Sequence, residues 1–165
     1  MRLDALWLDR RRVVRRVLDV RFSSALKVLL FLAVAAETDS PVLSSAQLAE
    51  HLDANPSLIR KLLVPLVREG LVTSVKGRAG GTRLARPAED VTLAEVYRCV
   101  VGDKPLWACR PESQHMCLVT AHMNDYFTRL TEQAEQAVLG AFADQSLADG
   151  LREVRRLERN TVQES

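Results

Sequence analysis

Residues 71–101 read LVTSVKGRAGGTRLARPAEDVTLAEVYRCVV, and their reading decides the fold. An extended run at Leu71, Val72 and Val75 breaks at Gly77, Gly80 and Gly81, then resumes at Thr82, Arg83 and Leu84. Glycines between two short extended runs predict a two-stranded hairpin. Lys76, Arg78, Arg83 and Arg86 cluster on it with no acid among them. A small cationic hairpin behind a helical segment suits a wing laid against a phosphate backbone, so double-stranded DNA is the expected partner.

The segment ahead of the hairpin supports that expectation. Residues 22–36 are too densely apolar for one exposed face and predict a surrounded helix, ended by residues 38–41. Ser44 or Ser45 offers an N-cap for a short helix through Leu48, Ala49 and Leu52. Asn55 caps, and Pro56 opens, a third helix that stops at Gly70. Its Leu58, Leu62, Leu66 and Ile59, Leu63, Val67 form two i, i+4 rows, read together as one broad apolar face, with Ser57, Arg60, Lys61 and Arg68 pointing elsewhere. Pro65 inside that helix removes a backbone bond at about 3 kcal/mol, which predicts a kink near residues 61–64 or an offsetting packing gain. Two short helices joined by a tight turn, followed by a cationic hairpin, predict a winged helix-turn-helix.

Downstream, Thr92 caps a helix over residues 93–101 and a polar loop follows. Val119, Met123, Tyr126, Leu130, Ala134, Ala137 and Ala141 then make a near-heptad stripe. So long a stripe exceeds what a small domain can cover, and a helix from a second subunit is its natural partner. A last amphipathic helix is expected over residues 146–159. The fold expected is thus mainly α: a winged helix-turn-helix with a two-stranded wing plus a long dimerisation helix. Its divisions are an extension at 1–19, the DNA-binding region at 20–102, a sensor loop at 103–118 and helical dimerisation at 119–160. The extension carries five arginines among residues 10–16 and is read as unpacked or as a start assigned too far upstream; a basic arm reaching DNA is the other reading.

The bulk numbers narrow the class. The net charge is only +2, yet most of the basic excess lies in the first 86 residues while residues 112–149 lean acidic. Aromatics at 5% are too few for the stacking platforms of single-strand binders. Residues 26–36 fall far short of the roughly 20 needed for a membrane span, and the first residues lack a signal peptide's apolar core, so the expected location is cytoplasmic. Three cysteines, an odd number, make no secreted disulfide framework.

These residues resemble the Rrf family of bacterial winged-helix repressors, the IscR, NsrR and CymR type, over residues 20–143. The likeness is carried by Arg21-Phe22, by LVREGLV at 66–72 and by the wing-and-helix pattern at 75–101. Asn55-Pro56, Ile59-Arg60-Lys61 and residues 93–98 are most similar to the YwnA-like branch. The resemblance implies a homodimeric transcriptional regulator on palindromic operator DNA. By position, Ser57, Arg60 and Lys61 would face the major groove, Arg78 would reach a minor groove, and the helix over residues 116–143 would cross its dimer mate. With Lys76, Arg78, Arg83 and Arg86 on phosphates, these are the expected DNA contacts.

Iron–sulfur members of the family carry three closely spaced cysteines in the loop before the long helix. Here Cys99, Cys109 and Cys117 are more widely spread and Cys99 falls within a helix. No cofactor is expected on that spacing; a 2Fe–2S cluster in a nitric oxide or redox sensor is the alternative, with His115 or Glu112 as a replacement ligand. The rival reading is thiol sensing by Cys109 and Cys117, the latter near a helix N-terminus that favours thiolate, while Cys99 reads as a small buried apolar residue. No zinc-type ligand pair is present. The expected function is a cytoplasmic repressor responsive to redox or thiol-reactive stress, not an enzyme. A thiol enzyme finds no C-x-x-C or nucleophile–base pair to support it. A helical adaptor binding protein through the winged helix is the remaining alternative.

Overall fold

The computed structural model describes residues 20–77, 80–102, 106–107 and 117–163. Six helices and one hairpin appear among them: α1 (Arg21–Ala36), α2 (Ser45–His51), α3 (Pro56–Arg68), β1 (Val72–Val75), β2 (Gly81–Leu84), α4 (Leu93–Val101), α5 (Leu118–Ala143) and α6 (Leu147–Gln163). A short 3-10 turn at Ala88–Asp90 precedes α4. The fold is a mainly helical winged helix-turn-helix, as expected. Arg78, Cys109, Glu112, His115 and the extension at 1–19 lie outside the described residues.

The capping chemistry places the helix starts. Ser44 and Gln47 exchange side-chain and backbone bonds at the head of α2. Asn55 Oδ1 accepts from the Ser57 N–H at 2.8 Å at the head of α3. Thr92 and Glu95 close a second capping box on α4. Each satisfies N–H groups that the first helical turn leaves without partners. Helix α3 ends on Gly70, whose φ of 67° lets the Leu71 N–H reach back to the Leu66 carbonyl at 2.9 Å.

Helix α1 is the hub, burying Ala25, Val28, Leu29, Leu32, Ala33 and Ala35 against α3, α4, α6 and the wing. Burying a side chain such as Leu29 or Leu32 contributes about 1.5–3 kcal/mol. The rest of the core includes Leu48, Ile59, Leu66, Leu71, Val72, Val91, Val96 and Leu147. Strands β1 and β2 pair antiparallel, Val72 opposite Leu84 and Val75 opposite Gly81. Leu43 extends the ladder by exchanging backbone bonds with Thr82 at 2.9 and 2.8 Å, which ties the wing to the entry of α2. At the other end, Leu93 N donates to Gln145 O and Leu147 N to Val91 O, each at 2.8 Å, which pins the start of α6 beside the start of α4.

One expectation is corrected. The apolar face of α3 is narrower than its two rows suggested. Ile59, Leu63 and Leu66 are buried, but Leu58 is 57% and Val67 40% exposed, because neighbouring elements cover only one side of the helix. Helix α3 continues through Pro65, which is partly buried and lines one cleft with Leu58, Leu62, Val100 and Val101. Among the described residues, no helix is long and apolar enough to cross a membrane.

Candidate nucleic-acid interface

The middle and C-terminal half of α3, the entry of α2 and the inner edge of the wing line one open cleft of about 490 Å³. Arg60 reaches it from α3, Ser44 and Ser45 from α2, and Ser74 and Gly80 from the hairpin. Helix and wing therefore present to the same side. Ser57, Arg60 and Lys61 are all exposed, but of the three only Arg60 lines this cleft, while Lys61 lines another beside α4; an Arg60 guanidinium N–H donates to Ser57 Oγ at 3.1 Å. Lys76 and Arg83 are exposed at the end of β1 and on β2.

Arg86 does not join them. Its guanidinium lies 2.7 Å from Glu95 Oε1 and is half-buried, so this cation fastens the wing's exit to α4 rather than standing free for phosphate. Partial burial pushes the Glu95 carboxyl upward, but the bonds from Arg86 and Thr92 outweigh it and hold the pKa below its ordinary value. The pairing depends on a partner nine residues ahead across a turn, which no local pattern shows.

The structure adds one residue that the sequence reading overlooked. Val64 is 66% exposed one turn beyond Arg60, and both line the same cleft. An exposed apolar side chain is the type that can touch a thymine methyl in a major groove. The signal was present as an apolar residue falling outside both rows of α3.

The cysteines separate in character. Cys99 is half-buried in α4; burial first, then the charge of Glu69, pushes its thiol up to about 11. It packs, partly buried, against the core. Cys117 is exposed at the N-cap of α5, where the Thr120 hydroxyl first, then the backbone N–H groups of Thr120 and Val119, hold its pKa below the ordinary thiol value. These two thiols do not meet within one chain. The Tyr97 and Phe142 rings, 6.0 Å apart, fix the far end of α5 beside α4, where Cys99 sits two residues past Tyr97. Cys117 lies 25 residues before Phe142 along the same helix, about 37 Å at 1.5 Å per residue. A cluster whose thiolates must converge on one small core does not fit Cys99 and Cys117 of a single chain. Among the described residues no group of three or more His, Cys, Asp or Glu could hold a metal. Of the expected sensor loop, Leu106 is tethered by its N–H to Glu135 Oε1 of α5 at 2.9 Å.

Comparison with known proteins places this geometry. A family model described as Rrf2, iron-dependent transcriptional regulator, matches residues 18–153. IscR, an HTH-type transcriptional regulator of Cereibacter sphaeroides, is 36% identical over 76 residues, 46% of this chain and 49% of that protein. YwnA of Bacillus subtilis, provisionally named an HTH-type transcriptional regulator, is 25% identical over 81% of this chain and 96% of its own. The chain spans about half to two thirds of the length of the first curated relatives it matches. A crystal structure from Lactobacillus plantarum, provisionally a transcriptional regulator, superposes with a TM-score of 0.71 at 22% identity, covering 88% of this chain and 99% of that one.

Proposed function

Because the chain belongs to the Rrf2 family of transcriptional regulators, a family of regulators rather than enzymes, we propose that it binds palindromic operator DNA in the cytoplasm as a homodimer and represses by occupying the site. The observation that carries this reading is the common cleft of α3 and the wing, with Arg60 on its wall. Arg60 and Lys61, with Val64 beside them, read base edges. Lys76, Arg78 and Arg83 bind phosphates and supply a salt-dependent affinity. The second subunit covers the stripe of α5, where Leu118, Val119, Met123, Tyr126 and Leu130 are 80, 65, 37, 52 and 40% exposed.

Titration of labelled promoter fragments at several salt concentrations tests the division of labour. Arg60→Ala loses about 1–3 kcal/mol on the preferred sequence and little on random DNA, while Lys76→Ala weakens both alike and lowers the salt slope by about one. Equal losses on every sequence for Arg60→Ala would refute the assignment.

The signal we assign to this regulator is oxidation or another thiol-directed modification at Cys117, with Cys109 as a candidate second thiol. The exposed, acidified thiol at the head of α5 favours this over a cluster. Promoter binding with and without peroxide, in the native chain and in Cys117→Ser, tests it: oxidant should change affinity in the first and not in the second. A brown, visible-absorbing protein from anaerobic purification would instead support the cluster alternative.

A further inference from the structure

A second cleft, of about 430 Å³, opens between α1, α2 and α6, away from the surface assigned to DNA. Its apolar lining is Leu30, Phe31, Val34, Leu52, Leu151 and Val154. Val34 and Val154 remain 41% and 51% exposed, so the lining is open to solvent rather than closed into the core. The volume falls within the range of small-molecule sites, and a mostly apolar lining with a few polar groups is their usual composition.

The polar members limit what fits. Lys27 and Asp53 carry opposite charges on the same cleft, so a formal charge on an occupant would be attracted by one and opposed by the other. The His51 ring stacks on Phe31 with centroids 4.7 Å apart and planes 16° from parallel. That pair offers a flat aromatic step to a ring packed beside it. Leu52 and Asp53 belong to the turn between α2 and α3, where Asp53 holds a φ of 48°, so an occupant would bear on the turn that orients the DNA-facing helix.

We propose that this cleft is a binding site for a small, uncharged aromatic molecule of one or two rings. The proposal is independent of which DNA sequence the protein reads and of the chemistry at Cys117.

Isothermal titration of the full chain with indole, indole-3-acetate and tryptamine tests it. Indole should bind saturably at one site per chain, and its two charged relatives at least tenfold more weakly. Val34→Arg and Val154→Arg change exposed positions, and circular dichroism confirms that each variant folds; either should weaken indole at least tenfold. The proposal is overturned by an absence of saturable indole binding, by equal binding of all three compounds, or by binding that neither variant alters. It is overturned as well if Val154→Arg abolishes self-association of the native chain, which would assign the cleft to a second copy.

Discussion

A thiol standing one residue ahead of a helix takes its acidity from its neighbours. Thr120 Oγ1 lies 3.5 Å from Cys117 Sγ and also accepts the Cys117 N–H at 2.8 Å, so one hydroxyl both caps the helix and stabilises the thiolate. With the folded pKa depressed, the thiolate fraction near neutral pH exceeds that of an ordinary cysteine. Iodoacetamide should therefore modify Cys117 well before Cys99, as read by mass spectrometry of the digested protein across pH 6–9. Thr120→Val should move the Cys117 profile to higher pH and slow its alkylation by roughly two- to tenfold at pH 7, and Thr120→Ser should restore it. An unchanged profile in Thr120→Val would remove the hydroxyl from the account.

At the scale of elements, the wing depends on a close approach that only glycine permits. A Cβ on Gly81 would lie 2.5 Å from the Leu43 carbonyl oxygen and 2.7 Å from its carbon, both backbone atoms that cannot step aside alone. Gly81→Ala should open the Leu43–Thr82 bridge and cost about 1–3 kcal/mol in urea unfolding, with faster amide exchange at Leu43 and Thr82. The contact between Arg86 and Glu95 gives a second, pH-dependent prediction. The Glu95 pKa is lower folded than unfolded, so its contribution is present above the unfolded value near 4.3 and is lost as pH falls through the folded value. Glu95→Gln keeps the reach of the capping box but loses the charge. It should be less stable than the native chain by about 0.5–1 kcal/mol at pH 7, and that gap should close as melts are repeated below pH 4. A gap constant from pH 7 to 3 would mean that the charge contributes nothing.

The same elements show how far local chemistry carries. Ser44, Asn55, Pro56 and Thr92 mark their helix starts because a cap acts over three residues, and the glycines of the hairpin are legible because they act on their own backbone. The outward side of α3 was not legible. Whether Leu58, Val64 and Val67 face core or solvent depends on which elements pack beside the helix, a fact absent from the spacing of α3 itself. The role of Arg86 and the anchoring of α6 beside α4 were hidden for the same reason, since both rest on partners brought together only by the fold. The residues proposed to meet DNA follow from residue type and resemblance, and the cleft that Arg60 shares with the wing follows from tertiary packing.

For the whole molecule, α5 is the element that one chain leaves incomplete. It runs for 26 residues, about 39 Å, with Thr131 its one buried residue among those described. Its C-terminal part is anchored by Phe142, whose ring stacks on Phe22 at 5.2 Å, while the apolar stripe nearer the N-terminus stays in water. Leu130→Glu changes an exposed position, so the single chain should fold and melt much as before. Sedimentation should show the native chain paired and this variant single, with operator affinity down by about a hundredfold because each half-site is then held alone. A variant that stays paired would move the interface elsewhere.

The uncovered stripe of α5 also bears on how such a protein counts itself. If pairing must precede tight operator binding, occupancy at low abundance rises with the square of the chain's concentration rather than in proportion to it. A few copies per cell would leave the promoter almost untouched, a several-fold rise would silence it, and dilution at cell division would reopen it without any chemical signal.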